Sequence, residues 1–280
     1  MTERSLWSEG TISARTENDL DALAADLGAE QDALDAVVAT ADPEDWTVAT
    51  ASPGWTVRDQ IGHLAYFDGT AATAITDPGQ FSADLAALLT SDGNLDDATL
   101  HRDLDAVGLL ERWRADRRAL GAAAAQLDDG DRIPWYGPSM SAKSFLTARL
   151  METWAHGHDV VEALGAADRP ATDRLRHIVR LGFITRGWTY ANRGEQPPEA
   201  PVRLELTGPS GAVWQHGEGD ALDVVRGPAL DFCLVVTQRR HVDDTGLHIT
   251  GAGARDWLDK AQAFAGPPTD GPPPQSRRAQ

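Results

Sequence analysis

The stretch Arg149–Leu164, RLMETWAHGHDVVEAL, is typical of the second half of a long helix that stops at a glycine, Gly165. Residues four apart lie about 40° from one another around a helix axis, so Glu152 and His156 share one face. His158 lies about 200° from His156, on nearly the opposite side. The stretch therefore places a carboxylate and one imidazole side by side and directs the second imidazole elsewhere.

A third candidate ligand lies far upstream, in the stretch Gly54–Phe67, GWTVRDQIGHLAYF. Its TVRD segment is a capping box, with Thr56 as the cap and Asp59 three residues later, and it predicts the start of a second long helix. His63 borders the apolar stripe of that helix and must satisfy two ring nitrogens. A metal on one nitrogen and an acceptor on the other would do so, and Asp59 is either that acceptor or only a cap.

Two histidines and a glutamate suit a divalent ion such as zinc, and three protein ligands leave a position open, as in catalytic sites. Glu-x-x-x-His pairs also occur by chance on many helices. On spacing alone, Glu152 and His156 are either metal ligands or a solvated, hydrogen-bonded pair. His158 and Glu162, also four apart, are interpreted as an ordinary surface pair. Arg149, on the Glu152 side, either binds a substrate carboxylate or pairs with an acidic neighbour.

The rest of the chain divides into a helical first part and a small mixed second part. Apolar residues three and four apart predict further helices in DLDALAADLGAEQDALDAVVATA, LDAVGLLERWRADRRALGAAAAQL and ATDRLRHIVRLGFITRGWTYAN. After a Pro-rich linker, VRLELTGPSGAVWQHG predicts a β-hairpin, and short strands and helices follow. We expect an α+β fold, with an antiparallel four-helix bundle in residues 1–195, a small α+β domain in residues 200–266 and a disordered, Pro-rich tail in residues 267–280.

The composition excludes several classes of protein. The chain has 280 residues and a net charge of −18, so its surface should repel nucleic acid and anionic lipid. It contains no run of about 18 apolar residues, and its first ten residues, MTERSLWSEG, lack the apolar segment of a signal peptide. The single cysteine, Cys233, excludes an intrachain disulfide and a thiolate-rich zinc site. We therefore expect a cytoplasmic protein without nucleic-acid or membrane partners.

Taken together, GWTVRDQIGHL and, about 90 residues later, TARLMETWAHGHDVVEAL resemble the two motifs of the DinB-like helical-bundle superfamily. They resemble most closely its branch of mycothiol-dependent maleylpyruvate isomerases and their metal-binding relatives. The first motif, W-T-V-x-D-x-x-x-H-L, spans Trp55–Leu64, and the second, E-x-x-x-H-x-x-D, spans Glu152–Asp159. The resemblance implies that His63, Glu152 and His156 hold a zinc ion.

The C-terminal stretch VVRGPALDFCLVVTQRR resembles an element of the same branch, V-x-G-x-A-x-D, within a sterol-carrier-like module. In the branch this element leads to a Gly-Arg pair, and an arginine of this region lies near the active site. Gln238 and Arg239 stand at those positions here. The resemblance thus implies Arg239 as a catalytic residue, with Arg240 as a rival, and two plain surface arginines are the alternative.

In the enzymes that the chain resembles, the open metal position activates a low-molecular-weight thiol. Coordination lowers the pKa of a thiol well below about 8.5, so that thiolate forms at neutral pH. The resemblance therefore implies a thiol-transferase or thiol-dependent isomerase, with mycothiol or a related thiol as cosubstrate and a small electrophile as substrate. A homodimer is compatible with it. A metal-dependent hydrolase, which needs no thiol, and a non-enzymatic protein that binds a metal or an apolar ligand are the open alternatives.

Overall fold

The structure, a computed structural model, describes residues 19–90, 98–166 and 169–276. Residues 1–18 and 277–280, which belong to the expected bundle and tail, lie outside the described residues. The helices of the first part are α1 (Asp19–Val38), α2 (Val57–Thr76), α3 (Pro78–Thr90), α4 (Ala106–Ala124) and α5 (Ala142–Leu164). Helix α2 packs against α4 and α5, and α1 packs against α5. The predicted helical bundle is confirmed.

The ends of the two helices that carry the candidate ligands follow local rules. Helix α2 begins with the predicted capping box, in which the Thr56 hydroxyl accepts from the Asp59 amide and the Asp59 carboxylate accepts from the Thr56 amide. Helix α5 begins after Ser141, whose hydroxyl accepts from the Ser144 amide. It ends at Gly165, in the left-handed conformation with φ of 59°.

The prediction of one continuous helix over residues 171–192 is wrong. It is two helices, α6 (Leu175–Ile184) and α7 (Arg186–Asn192), divided at Thr185. The Thr185 hydroxyl donates to the Leu181 carbonyl at 2.8 Å. A threonine that bonds in this way to the carbonyl four residues earlier competes with the regular helical pattern and often bends the helix.

The second part of the chain is a four-stranded sheet with two helices. The strands are β3 (Val202–Thr207), β4 (Val213–His216), β5 (Asp223–Pro228) and β6 (His248–Thr250), and the helices are α8 (Ala229–Val236) and α9 (Ala252–Lys260). The sheet order is β4-β3-β5-β6, with β3 and β5 parallel and the other pairs antiparallel. The predicted α+β fold and the β3–β4 hairpin are confirmed. A short ribbon, β1 (Arg132–Ile133) with β2 (Met140–Ser141), was not predicted.

The two parts share one buried apolar cluster. It contains Phe145 and Leu150 of α5 together with Leu204 of β3 and Phe232 of α8. At the contact between α6 and α8, a Cβ added to Gly182 would lie 2.9 Å from the Phe232 ring. The small domain is therefore packed onto the bundle, and its position relative to α5 is fixed.

The described part of the tail also has specific contacts. Thr269 donates its hydroxyl to the Gln238 side chain at 2.5 Å and its amide to the Gln262 side chain at 3.2 Å. Asp270 forms an ion pair with Arg193 at 2.8 Å. Residues 267–276 thus contact the small domain and Arg193, which follows α7.

The described helices include none that is long and apolar enough to cross a membrane.

Gly157, between the two histidines of α5, allows a buried arginine to approach the helix. A Cβ there would overlap the guanidinium of Arg169, which bonds to Glu30 and to the Trp154 carbonyl. Alanine normally stabilises a helix interior relative to glycine by about 0.5–1 kcal/mol. We expect Gly157→Ala instead to lower the free energy of unfolding by about 1–3 kcal/mol, as overpacking does.

Gly28 of α1 is the matched control, because nothing lies within 4 Å of the Cβ that alanine would add. Gly28→Ala should leave stability unchanged or raise it by up to about 1 kcal/mol. Urea unfolding of both variants measures the difference. If Gly157→Ala is as stable as Gly28→Ala, the Arg169 guanidinium does not lie as close to Gly157 as the structure shows.

Candidate metal site

Three side chains from two helices converge on one point. His63 extends from α2, and Glu152 and His156 extend from α5. A ligand atom from each lies within 4.8 Å of the other two. The Nε2 atoms of His63 and His156 lie 3.3 Å and 3.0 Å from the same oxygen, Oε2 of Glu152. The structure thus brings together the three residues that the sequence singled out, although 89 positions separate His63 from Glu152.

Aromatic rings hold both imidazoles in place. The two imidazole centroids are 4.3 Å apart, and the Trp55 ring lies 5.3 Å from His63 and 5.8 Å from His156. Phe67, one turn after His63, packs on it with centroids 4.5 Å apart. These contacts limit the rotation of the rings and exclude water from one side of the cluster.

The electrostatics of the cluster favour a bound cation. Burial and the neighbouring His156 lower the pKa of His63 to about 4, so its imidazole is neutral at pH 7. Burial raises the pKa of Glu152, but hydrogen bonds with His156 and His63 outweigh that effect and hold it well below its usual range. A carboxylate and imidazole nitrogens in this proximity are the donor set that zinc binds. One cation among the three atoms would satisfy all of them.

Asp59, considered as an acceptor for His63, has a different role. Its carboxylate accepts from the Thr56 amide at 2.9 Å and from Nε of Arg102 at 2.9 Å. Asp59 is therefore the cap of α2 and an anchor for Arg102, which is the second of the two interpretations that the sequence left open.

Gln60 was not predicted from the sequence as part of this cluster. Its side chain is fully buried, and Oε1 lies 2.6 Å from Nδ1 of His156. Gln60 falls in the apolar stripe that begins with Val57 and continues through Ile61 and Leu64. A polar residue on the buried face of a helix needs a hydrogen-bond partner, and that was the available signal.

The cluster lies within a recognisable family domain. The model of the mycothiol maleylpyruvate isomerase N-terminal domain matches residues 27–161, which include all three converging residues. Two uncharacterized proteins of Mycobacterium tuberculosis, from different strains, are each 47% identical over 251 residues, covering 88% of this chain and 96% of theirs. The chain belongs to one family with these two proteins, and its residues 27–161 carry the mycothiol maleylpyruvate isomerase N-terminal domain.

The fold of this family member is also similar to solved structures. The crystal structure of the mycothiol-dependent maleylpyruvate isomerase matches with a TM-score of 0.54 and 17% identity, over 84% of this chain and 93% of that chain. A mutant of that enzyme matches with the same TM-score and 16% identity. At this identity the likeness establishes the architecture alone.

Arg149, a predicted catalytic residue, is bound inside the bundle. Its guanidinium lies 2.9 Å from Oδ1 of Asp68, and both side chains are buried. It also lies over the Phe67 ring, 5.8 Å from the centroid. The structure therefore shows the alternative that the sequence left open, a pair with an acidic residue, and not a guanidinium directed at Glu152.

Arg239, the other predicted catalytic residue, follows α8 and reaches the bundle. Its guanidinium lies 3.0 Å from Oδ2 of Asp159, one turn after His156, and Asp159 also accepts from Ser52 at 3.0 Å. The preceding residue, Gln238, has a φ of 57°, a conformation that favours glycine. The end of α8 is nevertheless closed by hydrogen bonds, which the Gln238 amide donates to the Val235 carbonyl and the Arg239 amide donates to the Leu234 carbonyl. The turn therefore keeps its shape although glutamine stands where the resembled branch has glycine.

The remaining polar residues of this region form pairs of their own. His158 lies 3.2 Å from Glu162, as predicted, and its ring stacks on Trp154 with centroids 5.7 Å apart. Arg240, the alternative to Arg239 as the catalytic arginine, lies 2.8 Å from the same Glu162.

Cys233 is fully buried, which raises the pKa of its thiol well above the usual value.

Asp59, the cap of α2, contributes to the stability of the protein in a pH-dependent way. Burial raises the pKa of Asp59, but hydrogen bonds from Arg102 and Thr56 outweigh it and hold the pKa below its usual value. A group with a depressed folded-state pKa stabilises above its unfolded pKa of about 3.9, and this contribution is lost as the pH falls through the folded value. We expect Asp59→Asn to cost about 1 kcal/mol at pH 7 and less at pH 3.

Urea unfolding of wild type and Asp59→Asn at pH 7 and at pH 3 measures this difference. An equal loss at both pH values would show that the charge of the carboxylate does not matter.

Proposed function

We propose that this chain is a metal-dependent enzyme in which a divalent ion, most simply zinc, activates a low-molecular-weight thiol for attack on a small electrophile. The product is either a thiol adduct or an isomer released when the thiol leaves again. The observation that carries the proposal is the convergence of His63, Glu152 and His156 on one point. Membership of a family named for mycothiol-dependent isomerisation supports mycothiol, or a related thiol, as the cosubstrate.

The three residues fit a catalytic metal site. Two imidazole nitrogens and one carboxylate are the ligands of many catalytic zinc sites, where an exogenous molecule completes the coordination. A bound divalent ion would supply Lewis acidity, which lowers the pKa of a thiol so that thiolate is available at neutral pH. His63 and Glu152 are already in the states that ligands require, since one is neutral and the other is an anion.

The chain's own thiol does not serve this chemistry. Cys233 is the single cysteine of the sequence, and it lies in the core between α8 and α6, with Sγ 3.8 Å from the Leu175 carbonyl. Its raised pKa disfavours the thiolate. A thiol-dependent reaction therefore needs an external thiol, which supports a two-substrate enzyme.

Space for small molecules lies close to the cluster. A cavity of about 590 Å³ is lined by Tyr66 of α2, by Tyr136 between β1 and β2, and by residues of α3 and α4. The Phe67 ring contacts both His63 and Tyr136, with centroids 4.5 Å and 5.5 Å away. The Phe67 ring thus lies between the cavity and His63.

Metal content tests the first half of the proposal. We expect one zinc ion per chain by plasma mass spectrometry on untagged protein. His63→Ala and His156→Ala should each weaken zinc binding by at least about 100-fold, because even partners of metal ligands are worth about 10–100-fold. His158→Ala is the matched control, since this histidine is on the same helix and pairs with Glu162. Equal zinc affinity in all three variants would contradict the site.

Turnover with and without thiol tests the second half. With zinc bound, maleylpyruvate and a panel of epoxides and alkyl halides would be offered with mycothiol, with another thiol and with none. At pH 7 a thiol with a pKa of about 8.5 is only about 3% thiolate, so activation should raise the rate more than about tenfold over the uncatalysed thiol reaction. His63→Ala should abolish this gain. Ester or amide hydrolysis without thiol would instead indicate a metal-dependent hydrolase.

A further inference from the structure

Gln60 joins a metal-ligand candidate to the backbone of the loop that precedes α2. Its side chain is fully buried, three residues before His63. The loop is closed on itself, because the Thr50 amide donates to the Trp55 carbonyl and residues 49 and 56 form a β-bridge. The loop therefore presents the Trp55 carbonyl in a fixed position, while the Trp55 ring covers the cluster.

Three side-chain hydrogen bonds run in series from that carbonyl to His156. The Thr50 hydroxyl lies 3.0 Å from the Trp55 carbonyl oxygen. Nε2 of Gln60 lies 2.8 Å from the Thr50 hydroxyl. Oε1 of Gln60 lies 2.6 Å from Nδ1 of His156. We call these three bonds the Thr50–Gln60 relay.

The relay can have only one direction. A backbone carbonyl only accepts, so the Thr50 hydroxyl must donate to it. The hydroxyl oxygen is then the acceptor for Gln60, and it requires the amide nitrogen on that side. The amide oxygen consequently faces His156, and an amide oxygen also only accepts. Nδ1 of His156 must therefore carry a proton, whichever state Nε2 adopts.

We propose that the Thr50–Gln60 relay is a positioning device that fixes the proton of His156 on Nδ1 and directs the Nε2 lone pair at the metal. Its consequence for metal binding rests on the proposed function, whereas the position of the proton does not. Metal-bound histidines commonly donate their other nitrogen to an acceptor, which sets ring orientation and tautomer. Here that acceptor is a neutral amide, so the orientation is gained without a second carboxylate beside Glu152.

The simpler alternative is that Gln60 only fills space in the core. An apolar residue of similar size would do so without needing partners, and it would remove the two hydrogen bonds that a buried glutamine must satisfy. Both side-chain ends of Gln60 are satisfied, at 2.8 Å and 2.6 Å, and one of the partners is a ligand candidate.

Nitrogen-edited NMR of metal-free protein tests the proton's position directly. In wild type we expect a slowly exchanging proton on Nδ1 of His156. Gln60→Leu should lose it or exchange it at least tenfold faster. Thr50→Val should also speed its exchange, because the amide is then free to flip, whereas Thr50→Ser, which keeps the hydroxyl, should behave as wild type. An unprotonated Nδ1 in wild type overturns the proposal, as does identical exchange in Thr50→Val and Thr50→Ser.

Zinc competition with a chelator tests the consequence. Gln60→Leu should weaken zinc binding about 10–100-fold. Gln262→Leu is the matched control, since Gln262 is also a buried glutamine but donates to the Pro267 carbonyl at 3.2 Å, and it should change affinity less than about twofold. Unchanged affinity in Gln60→Leu overturns the positioning role at the metal.

The two readouts separate this inference from the proposed function. A protein that binds no zinc but shows the Nδ1 proton and its loss in Gln60→Leu keeps the relay and loses the metal enzyme. A zinc-binding protein whose Nδ1 carries no proton keeps the metal site and loses the relay.

Discussion

The bundle depends on one buried carboxylate, that of Asp68. Each of the other three long helices donates a hydrogen bond to it: Arg149 of α5 at 2.9 Å, Gln31 of α1 at 2.9 Å and Trp113 of α4 at 3.1 Å. A buried charge is tolerated only when it is paired and hydrogen-bonded, and removing one partner of such a pair typically costs about 3–5 kcal/mol. The four helices are therefore joined at one central side chain.

That constraint also places the candidate ligands. Asp68 lies five residues after His63 on α2, and Arg149 lies three residues before Glu152 on α5. The pair thus fixes how far α2 can slide along α5, and this register decides whether His63 meets Glu152. Arg149 serves the site by positioning its helix, because its ion pair with Asp68 joins α5 to α2 three residues before Glu152.

The two aspartates of the motifs are likewise structural. Asp59 caps α2, and Asp159 joins Ser52 of the preceding loop to Arg239 of the small domain. The loop, the bundle and the small domain therefore meet one turn beyond His156. The matched domain family is named for mycothiol and an isomerase, and the converging side chains are the basis of the proposed metal and thiol site.

Much of this was determined by the sequence alone. The capping box at Thr56, the stop at Gly165 and the shared face of Glu152 and His156 depend on neighbours within a few residues, and periodicity and capping rules describe such contacts well. The β3–β4 hairpin was predictable for the same reason. The family motifs then added His63, which spacing within a single helix could not connect to the other two.

Only the tertiary structure decided which partner each polar residue meets. Periodicity tells which side of a helix is buried, but not which residue of another helix faces it. For that reason the sequence left Arg149 between a substrate and a carboxylate, and Asp59 between a cap and an acceptor. It missed Gln60, because the acceptor for His156 comes from another helix, 96 positions away. The candidate metal site is thus made of local patterns that only packing brings into contact.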